Sequence, residues 1–261
     1  MKVPVLMLSD CLFTSYTASY CIMSNDYFRF KQFTIRQSQA AMKVGVDSVL
    51  LGAWTDVSQA NRVLDVGTGT GLLALMLAQR IAKPDVQIDA VEIDANACLQ
   101  ARENVAASQW HRQISIYCDD FKHFALQTKQ QYDLLISNPP YFSHSLKSFD
   151  SRRCLARHND SLLFSELVAG AAKLLMPEGK MAVALPIHEA DSFTTQATQH
   201  GLSVCRRLFI RSTPAKSPYR LLLELSDRKF PATEQHLCIC DAQQAFTAEY
   251  TKLTQAFYLK M

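Results

Sequence analysis

The segment 133–141 (DLLISNPPY) contains the residues whose types and spacing are most specific for chemistry. An apolar run of strand type ends there in Asn138, and the two prolines that follow stiffen the turn and cannot continue a β-ladder. The side-chain oxygen of Asn138 and the carbonyl oxygen of Pro139 would form a pair of hydrogen-bond acceptors. Tyr141 adds a flat face on which a base or an amide can stack.

Two acceptors of this kind suit an amino nitrogen whose lone pair is delocalised, such as that of adenine or of a glutamine side chain. Acceptors that hold both N–H bonds draw the nitrogen towards tetrahedral geometry and expose its lone pair to an electrophile. No strong base is required, because the proton can leave after the attack. Catalysis would then depend on orientation and electrostatics in a water-poor pocket. The alternative for the motif alone is a rigid turn after a strand.

A second group of candidate residues lies at the ends of three earlier strands. The segment 63–71 (VLDVGTGTG) carries three alternate glycines, which let the backbone approach a ligand and expose amide donors at a helix start. Glu92 ends the next strand, where a carboxylate can accept hydrogen bonds from ribose hydroxyls. After the third strand, a carboxylate could accept from an adenine amino group while an aromatic ring packs on the purine. The residues of this group are Asp65, Gly67, Gly69, Gly71, Glu92, Asp119, Asp120 and Phe121.

This second group favours a nucleotide-like ligand over a purely structural turn. Glycines after a strand can simply form a tight turn, and carboxylates at strand ends can simply be solvated. Three successive strand ends with suitable residue types make that alternative improbable. NAD is the rival ligand, but the GxGxG spacing differs from the GxGxxG dinucleotide pattern, and the motif at Asn138 argues further against it.

The elements that position both groups alternate between strands and helices. The hydrophobic periodicity predicts strands at 62–66, 86–91, 114–118, 132–137, 181–185, 204–210 and 220–225. It predicts helices at 47–54, with Asp47 as its cap, and at 72–81, 95–107, 121–127, 161–175, from after 185 to 200, and 241–258, and a turn at 177–179. The alternation indicates a parallel sheet covered on both faces, and the late pair of strands suggests an antiparallel strand at one edge.

The glycine loop and the strand ends resemble those of the Rossmann-like class I methyltransferases, over roughly residues 43–225. The resemblance implies an α/β fold with a mainly parallel seven-stranded sheet, an antiparallel edge strand and helices on both faces. It also implies S-adenosylmethionine as the cofactor, bound by the second group of residues. The Asn-Pro-Pro-Tyr motif resembles the signature of amino-group methyltransferases, both the N6-adenine enzymes and the release-factor glutamine enzymes.

Four further segments are similar to the family of tRNA1(Val) (adenine(37)-N6)-methyltransferases. They are 30–37 (FKQFTIRQ), 42–54 (MKVGVDSVLLGAW), 156–158 (ARH) and 246–259 (FTAEYTKLTQAFYL). The resemblance implies methylation of N6 of adenosine 37, beside the anticodon, in a loop whose bases are readily extruded. Val46 and Ser48 depart from the family pattern, which has threonine and glycine at these positions.

Basic residues on either side of the catalytic motif are candidates for contacts with the phosphates of the tRNA anticodon stem-loop. They are Arg29, Lys31, Arg36, Arg152, Arg153 and Arg157. For any single one, a solvated surface charge is an equal alternative. The net charge of +3 is far from that of a strongly basic nucleic-acid binder, so RNA contacts must come from local patches.

Three other functions remain as alternatives. A glutamine methyltransferase acting on a protein release factor shares the catalytic motif, but that family has a substantial helical domain before the glycine loop, and the segment here is too short for one. A DNA adenine methyltransferase would need a target-recognition insertion. A catalytically silent RNA-binding protein is disfavoured because Asp65, Glu92, Asn138 and Tyr141 are all present.

The distribution of the cysteines indicates a reducing cellular compartment. All eight are scattered, with no CxxC pair and no Cys/His cluster at metal-ligand spacing, so we expect free thiols and no metal. No apolar run approaches the ~20 residues of a membrane span. These features predict a cytoplasmic protein, which we expect to be a monomer.

The N-terminal segment differs from the remainder of the chain. Residues 1–23 faintly resemble a signal peptide but are interrupted by Asp10 and lack a typical cleavage site. We expect the native start at Met23, with residues 1–23 a non-native or disordered extension. Residues 24–261 would then be a single domain, with a substrate-side segment (24–60), a catalytic core (61–225), and a C-terminal strand and helix (226–261).

Overall fold

The computed structural model describes residues 26–40, 42–140, 162–228 and 231–260. The strands in these ranges are β1 (Tyr27–Arg29), β2 (Thr34–Arg36), β3 (Arg62–Val66), β4 (Gln87–Glu92), β5 (Ile114–Cys118), β6 (Tyr132–Ser137), β7 (Leu175–Pro186), β8 (Ser203–Arg211), β9 (Arg220–Ser226) and β10 (Thr233–Cys238). The helices are α1 (Val46–Trp54), α2 (Leu72–Ile81), α3 (Ala95–Ala106), α4 (Phe121–Gln127), α5 (Phe164–Leu174), α6 (Ala190–Gln199) and α7 (Ala248–Thr254), with a 3-10 turn at Ile187–Glu189. In this part of the chain, no helix combines the length and apolarity needed to cross a bilayer.

Eight of the described strands form the central sheet, in the order β10-β8-β9-β7-β6-β3-β4-β5. All run in the same direction except β9, which is antiparallel to both β7 and β8. The Rossmann-like α/β fold class is thereby confirmed, with two differences in detail. The sheet has eight strands and not seven, because the C-terminal strand predicted within 226–261, β10, joins it beside β8. The antiparallel strand lies inside the sheet and not at its edge.

The composition of β9 explains its interior position. Its sequence is RLLLELS, and every residue after Arg220 is buried. Seven residues of β9 pair with β7 on one side, and its other side pairs with β8. A strand that is buried along nearly its whole length and consists mostly of leucine is typical of a position with neighbours at both edges and helices over both faces. The prediction of an edge strand relied on chain order alone and was therefore wrong.

The two faces of the sheet carry separate hydrophobic clusters, because successive side chains of a strand point to opposite sides. In β3, Val63 belongs to the cluster that includes α1, α2, the β1–β2 hairpin and the C-terminal segment. Its neighbour Leu64 belongs to the cluster formed with α4, α5 and α6. The helices therefore cover both faces, and the loops at the carboxyl ends of the strands are left to form a site.

The C-terminal helix is shorter than the predicted 241–258. Asp241 forms a turn, in which its Oδ1 accepts hydrogen bonds from the backbone N–H groups of Gln243 and Ala245, both at 2.9 Å. Local side-chain bonds of this kind compete with a helix. The helix α7 begins only after Thr247, whose hydroxyl accepts from the N–H of Tyr250 at 3.2 Å.

Two smaller predictions were also wrong. Asp47 does not cap α1, because Gly45 occupies the N-cap position without a side-chain hydrogen bond and Asp47 lies in the first turn. The predicted turn at 177–179 is an irregularity within β7, where Glu178 has a φ of 64°. Two residues of β6, Tyr132 and Leu134, pair with β7 residues that are five apart in the chain.

The β1–β2 hairpin is attached to α3 by a buried amide. The side-chain oxygen of Asn104 accepts from the N–H of Arg36 at 2.8 Å. Its nitrogen donates to the carbonyl oxygens of Arg36 and Thr70, each at 2.9 Å. Since Thr70 belongs to the loop after β3, one side chain holds the hairpin beside the glycine loop.

Candidate active site

A cavity of about 330 Å³ opens at the carboxyl ends of the neighbouring strands β3, β4, β5 and β6. This volume lies within the usual range of small-molecule sites, roughly 300–1,000 Å³. The predicted site residues that line it are Gly67, Gly69, Glu92, Asp119, Asp120, Phe121, Asn138 and Pro139. The ends of four neighbouring parallel strands thus bring the two predicted groups of residues to one cavity.

The loop after β3 has a backbone that requires its glycines. Gly67, Gly69 and Gly71 have φ values of 70°, 58° and 82°, in the region that disfavours other residues. A Cβ on Gly67 or Gly69 would meet no described atom within 4 Å, so the space above these two residues is open to a ligand. Gly71 lies behind them, where its backbone packs against Ala101 of α3.

Asp65 lies beneath this loop and not in the cavity wall. Its side chain is fully buried, and its Oδ2 accepts from the Thr68 hydroxyl at 2.6 Å and from the Ala74 N–H at 3.1 Å. Its Oδ1 has no hydrogen-bond partner among the described residues. Burial raises the pKa of Asp65 to about 7, against the lowering effect of these two bonds, and the charge of Glu92 adds to the rise.

Glu92 connects the end of β4 to the glycine loop. Its Oε2 accepts from the Gly69 N–H at 2.8 Å, and its Oε1 accepts from the Asp94 N–H at 3.0 Å. A carboxylate has about four acceptor positions, so these two bonds leave capacity for hydroxyl groups of a ligand. The carboxylate therefore fixes the loop and faces the cavity at the same time.

The carboxylates after β5 have local partners. Asp119 accepts from the Nδ1 of His123, at 2.8 Å to Oδ2. Asp120 caps α4 by accepting from the Lys122 N–H at 2.7 Å. The Lys122 ammonium lies 3.6 Å from Asp120 and 3.3 Å from Glu166, and the hydrogen bond to Glu166 is the main reason that its pKa is raised. Both aspartates remain within the cavity wall.

Phe121 begins α4 and is buried against α5. An ideal Cβ placed on Gly170 would lie 2.4 Å from the Cε1 of its ring, so the two helices approach closely at this point. The ring also lines the cavity. It is therefore held from behind and presents an apolar surface to a ligand.

Asn138 directly follows β6 and is half-buried. Its Nδ2 donates to the hydroxyl oxygen of Ser48, in the first turn of α1, at 2.7 Å. The next residue, Pro139, is buried, and both it and Asn138 line the cavity. Tyr141 lies outside the described residues, so its stacking role stays a prediction.

Of the basic residues predicted to contact RNA, the three that the structure describes do not line this cavity. Arg29 and Arg36 are exposed on the β1–β2 hairpin, whereas Lys31 donates to the carbonyl oxygen of Gln255 at 2.6 Å. Arg152, Arg153 and Arg157 lie outside the described residues.

The cavity wall also contains residues that the sequence did not single out as site residues. They are Ala40, Met42, Lys43, Val44, Ser48, Thr68, Thr70, Ile93, Lys122 and Leu162, among others. For Ser48 a signal was present, since this position departs from the glycine of the family pattern. Most of the others belong to no recognisable sequence motif. Only their closeness in the chain to predicted site residues could have indicated that they line the cavity.

These residues fit a bound S-adenosylmethionine. The open space above two left-handed glycines accommodates an extended ligand, and a carboxylate at the end of β4 provides acceptors for hydroxyl groups. The buried carboxyl of Asp65 supports the loop from beneath. Among the described residues, no group of three His, Cys, Asp or Glu side chains is arranged to hold a metal ion.

Comparisons with known proteins identify the family of this chain. The methyltransferase small domain family matches residues 40–190. The tRNA1(Val) (adenine(37)-N6)-methyltransferase of Trichodesmium erythraeum (strain IMS101) is 45% identical over 238 residues, which cover 91% of this chain and 100% of that protein. The enzyme of the same name from Bacteroides fragilis (strain YCH46) is 45% identical over 240 residues, 92% of this chain and 100% of that protein.

The fold also resembles that of a solved methyltransferase. The crystal structure of a predicted O-methyltransferase from Agrobacterium tumefaciens has a TM-score of 0.59 and 18% sequence identity, covering 81% of this chain and 96% of that chain. At that identity the likeness bears on the fold alone. The close relatives and the matched domain establish the family: the chain belongs to the methyltransferase small domain family and, within it, to the tRNA1(Val) (adenine(37)-N6)-methyltransferases.

Proposed function

We propose that this protein transfers a methyl group from S-adenosylmethionine to N6 of adenosine 37, beside the anticodon of tRNA1(Val). The observation that carries the proposal is the placement of Asn138 and Pro139 in one cavity with Gly67, Gly69 and Glu92. A cofactor-type loop and a pair of acceptors suited to an amino group therefore face the same space. A tRNA substrate also implies that the protein works in the cytoplasm, as the cysteine pattern predicts.

The cofactor would lie over the glycine loop, with its ribose hydroxyls at Glu92 and its adenine between Ile93 and Phe121. Asp119 or Asp120 would accept from the adenine amino group. S-adenosylmethionine supplies, when bound, an electrophilic methyl group on a positively charged sulfur. The residues that would hold the cofactor line the same cavity as Asn138.

Asn138 and Pro139 would position the amino group that is methylated. The Asn138 Oδ1 and the Pro139 carbonyl oxygen accept its two N–H bonds, which turns the nitrogen lone pair towards the methyl donor. As the new N–C bond forms, the S–CH3 bond of the donor breaks and its electron pair stays on the sulfur, which becomes a neutral thioether. The cationic nitrogen then loses its proton to solvent, so the site needs no strong base. The contribution of these residues is orientation and electrostatic stabilisation, and Tyr141 would stack on the extruded base.

The outer face of the β1–β2 hairpin would contact the RNA backbone. Tyr27 pairs with Arg36 and Arg29 pairs with Thr34, so these four side chains share one face of the hairpin. The opposite face, with the half-buried Phe28 and the buried Ile35, packs towards the core. Two arginines and a 57% exposed tyrosine ring form a surface suited to phosphates and to an unstacked base.

The direct test is to incubate the full-length protein with S-adenosylmethionine and unmodified tRNA1(Val), and to measure N6-methyladenosine in the digested RNA by mass spectrometry. We expect one methyl group, at adenosine 37. Asn138→Ala should lower kcat by about 100-fold or more. It should leave S-adenosylmethionine binding, measured by calorimetry, within about twofold.

Asn61→Ala is the matched control, because Asn61 is exposed and lies at the amino end of β3, whereas the cavity lies at the carboxyl ends of the strands. It should retain the wild-type rate. Methylation of a release-factor protein, with none of the tRNA, would overturn the proposed substrate in favour of the glutamine alternative. Failure to bind S-adenosylmethionine would favour a catalytically silent RNA-binding protein.

A further inference from the structure

The hydrogen bond between Ser48 and Asn138 joins two elements that are 90 residues apart in the chain. Ser48 lies in the first turn of α1, and Asn138 follows the last residue of β6. The hydroxyl oxygen of Ser48 is 2.7 Å from the Asn138 Nδ2, a good length for an N–H···O bond. Both residues line the cavity, so this contact lies at the surface where a substrate would bind.

The position of Ser48 is fixed by its neighbours in α1. Asp47 forms an ion pair with Arg220, at the start of β9, with 2.6 Å between the carboxylate Oδ2 and the Nε. Both side chains are largely withdrawn from solvent, with relative exposures of 20% and 24%. On the other side, Val49 and Leu50 are fully buried in the core. The first turn of α1 is therefore fixed both to the sheet and to the core.

This anchored hydroxyl acts on the orientation of the Asn138 amide. The terminal torsion of asparagine is broad and roughly two-fold, so an unrestrained amide can present either its oxygen or its nitrogen to the cavity. The side-chain oxygen and nitrogen are bonded to the same carbon and point in different directions within the plane of the amide. A hydrogen bond that holds Nδ2 against Ser48 therefore also sets the direction of Oδ1.

We propose that Ser48 is a positioning residue for methyl transfer, which acts by holding the Asn138 amide with Oδ1 directed at the target amino group. This inference rests on the proposed function, because that function requires an acceptor at Oδ1. A flipped amide would present a donor to the N–H bonds of the substrate and oppose binding in the reactive orientation. Ser48 is thus part of the catalytic arrangement without touching the reacting atoms.

The test compares Ser48→Ala, which removes the hydroxyl, with Ser48→Thr, which keeps it. We expect Ser48→Ala to lower kcat about three- to tenfold, the effect of losing one neutral hydrogen bond. KM for tRNA and the affinity for S-adenosylmethionine should change less than twofold. Ser48→Thr should recover most of the kcat that Ser48→Ala loses. A structural role in α1 would instead change cofactor affinity or thermal stability.

Ser192→Ala is the matched control, because Ser192 also accepts from a side-chain amide, that of Gln196, on the exposed surface of α6 and away from the cavity. It should leave kcat unchanged. A second readout is independent of activity: the side-chain amide NMR signals of Asn138, identified by their loss in Asn138→Ala. Ser48→Ala should shift these signals and speed their hydrogen exchange, and Ser48→Thr should not.

The outcomes separate this inference from the proposed function. An unchanged kcat in Ser48→Ala, or a Ser48→Thr variant as slow as Ser48→Ala, overturns the positioning role while tRNA methylation by the wild type still stands. A wild type that does not methylate tRNA contradicts the proposed function. In that case, amide signals that depend on the Ser48 hydroxyl would still support the contact, and signals indifferent to it would refute it.

Discussion

Among single residues, Asp65 combines complete burial with a carboxyl oxygen that has no hydrogen-bond partner in the described part of the chain. Its pKa of about 7 lies well above the value of about 3.9 expected in an unfolded chain. Between these two values the folded protein retains a proton that the unfolded chain has lost. Raising the pH through this window therefore lowers the free energy of unfolding. Above pH 7 the full cost of ionising the buried carboxyl remains.

We expect Asp65→Asn to remove this pH dependence, because an amide keeps an acceptor for Thr68 and Ala74 and does not titrate. From pH 4.5 to pH 7.5, the free energy of unfolding of the wild type should fall relative to that of the variant by roughly 2–4 kcal/mol. Urea denaturation of both proteins at several pH values measures this difference. If the free energies of unfolding of the two proteins, plotted against pH, stay parallel across this range, the expected effect of Asp65 is contradicted.

At the residue scale, the sequence predicted which residues line the cavity better than it predicted their hydrogen-bond partners. Asn138, Gly67 and Glu92 were predicted from their positions at strand ends, and the structure brings them to one cavity. The bond from Asn138 to Ser48 was not predictable, because it depends on how α1 approaches β6 in space. Likewise, nothing in the pattern indicated that Glu92 would accept a hydrogen bond from the Gly69 N–H.

At the scale of elements, the contact between α4 and α5 links packing to the cavity. Gly170 lies in the middle of α5, and the ring of Phe121 occupies the space where a Cβ would be. An alanine inside a helix is favoured over glycine by about 1 kcal/mol. A 2.4 Å approach to a buried ring opposes this, since overpacking costs about 1–3 kcal/mol.

We therefore expect Gly170→Ala to destabilise the protein by up to about 2 kcal/mol in spite of its better helix propensity. Because Phe121 must move, the affinity for S-adenosylmethionine should fall several-fold as well. Chemical denaturation and calorimetry measure the two effects. Adding Phe121→Leu should relieve the clash, so the double variant should be more stable than the sum of the single changes predicts. A stabilised Gly170→Ala protein would show that the helices separate freely.

The sequence predicted most elements closely, and its errors share a cause. The helix predicted at 72–81 matches α2, because Gly71 and the apolar run define its limits locally. The helix predicted at 241–258 was too long, because its amphipathic pattern concealed the turn at Asp241. The position of β9 between β7 and β8 is a long-range property, and chain order alone could not predict it.

At the scale of the whole molecule, the positive charge that would meet RNA must be local. The net charge is only +3, and two exposed arginines share the outer face of the β1–β2 hairpin with Tyr27. Asn104 holds this hairpin beside the glycine loop. The hairpin is thus a charged surface close to the cavity, whereas the catalytic residues themselves are mostly neutral or acidic.

We expect the double variant Arg29→Ala, Arg36→Ala to bind tRNA more weakly, with a slope of log K against log salt that is smaller by roughly one to two units. Fluorescence titrations at several salt concentrations measure the slope. The matched control is Lys129→Ala, Lys173→Ala, which removes the same charge from exposed positions before β6 and at the end of α5. Equal slopes for the two double variants would show that the hairpin is not in the RNA interface.

The overall architecture was the most predictable property of the molecule. Regular alternation of strands and helices from residue 62 onward, with glycines after the first of these strands, is compatible with few other folds. The division into segments 24–60, 61–225 and 226–261 stays a prediction.

The interior position of β9 has a consequence for synthesis on the ribosome. β7 is complete at Pro186 and β8 at Arg211, yet among the described strands β8 pairs only with β9 and β10. Until Ser226 has left the exit tunnel, β8 has no partner and one edge of β7 is open. An open apolar edge can pair with another chain. The nascent protein is therefore exposed to aggregation until β9 has emerged, and chains that end before β9 should be chaperone clients.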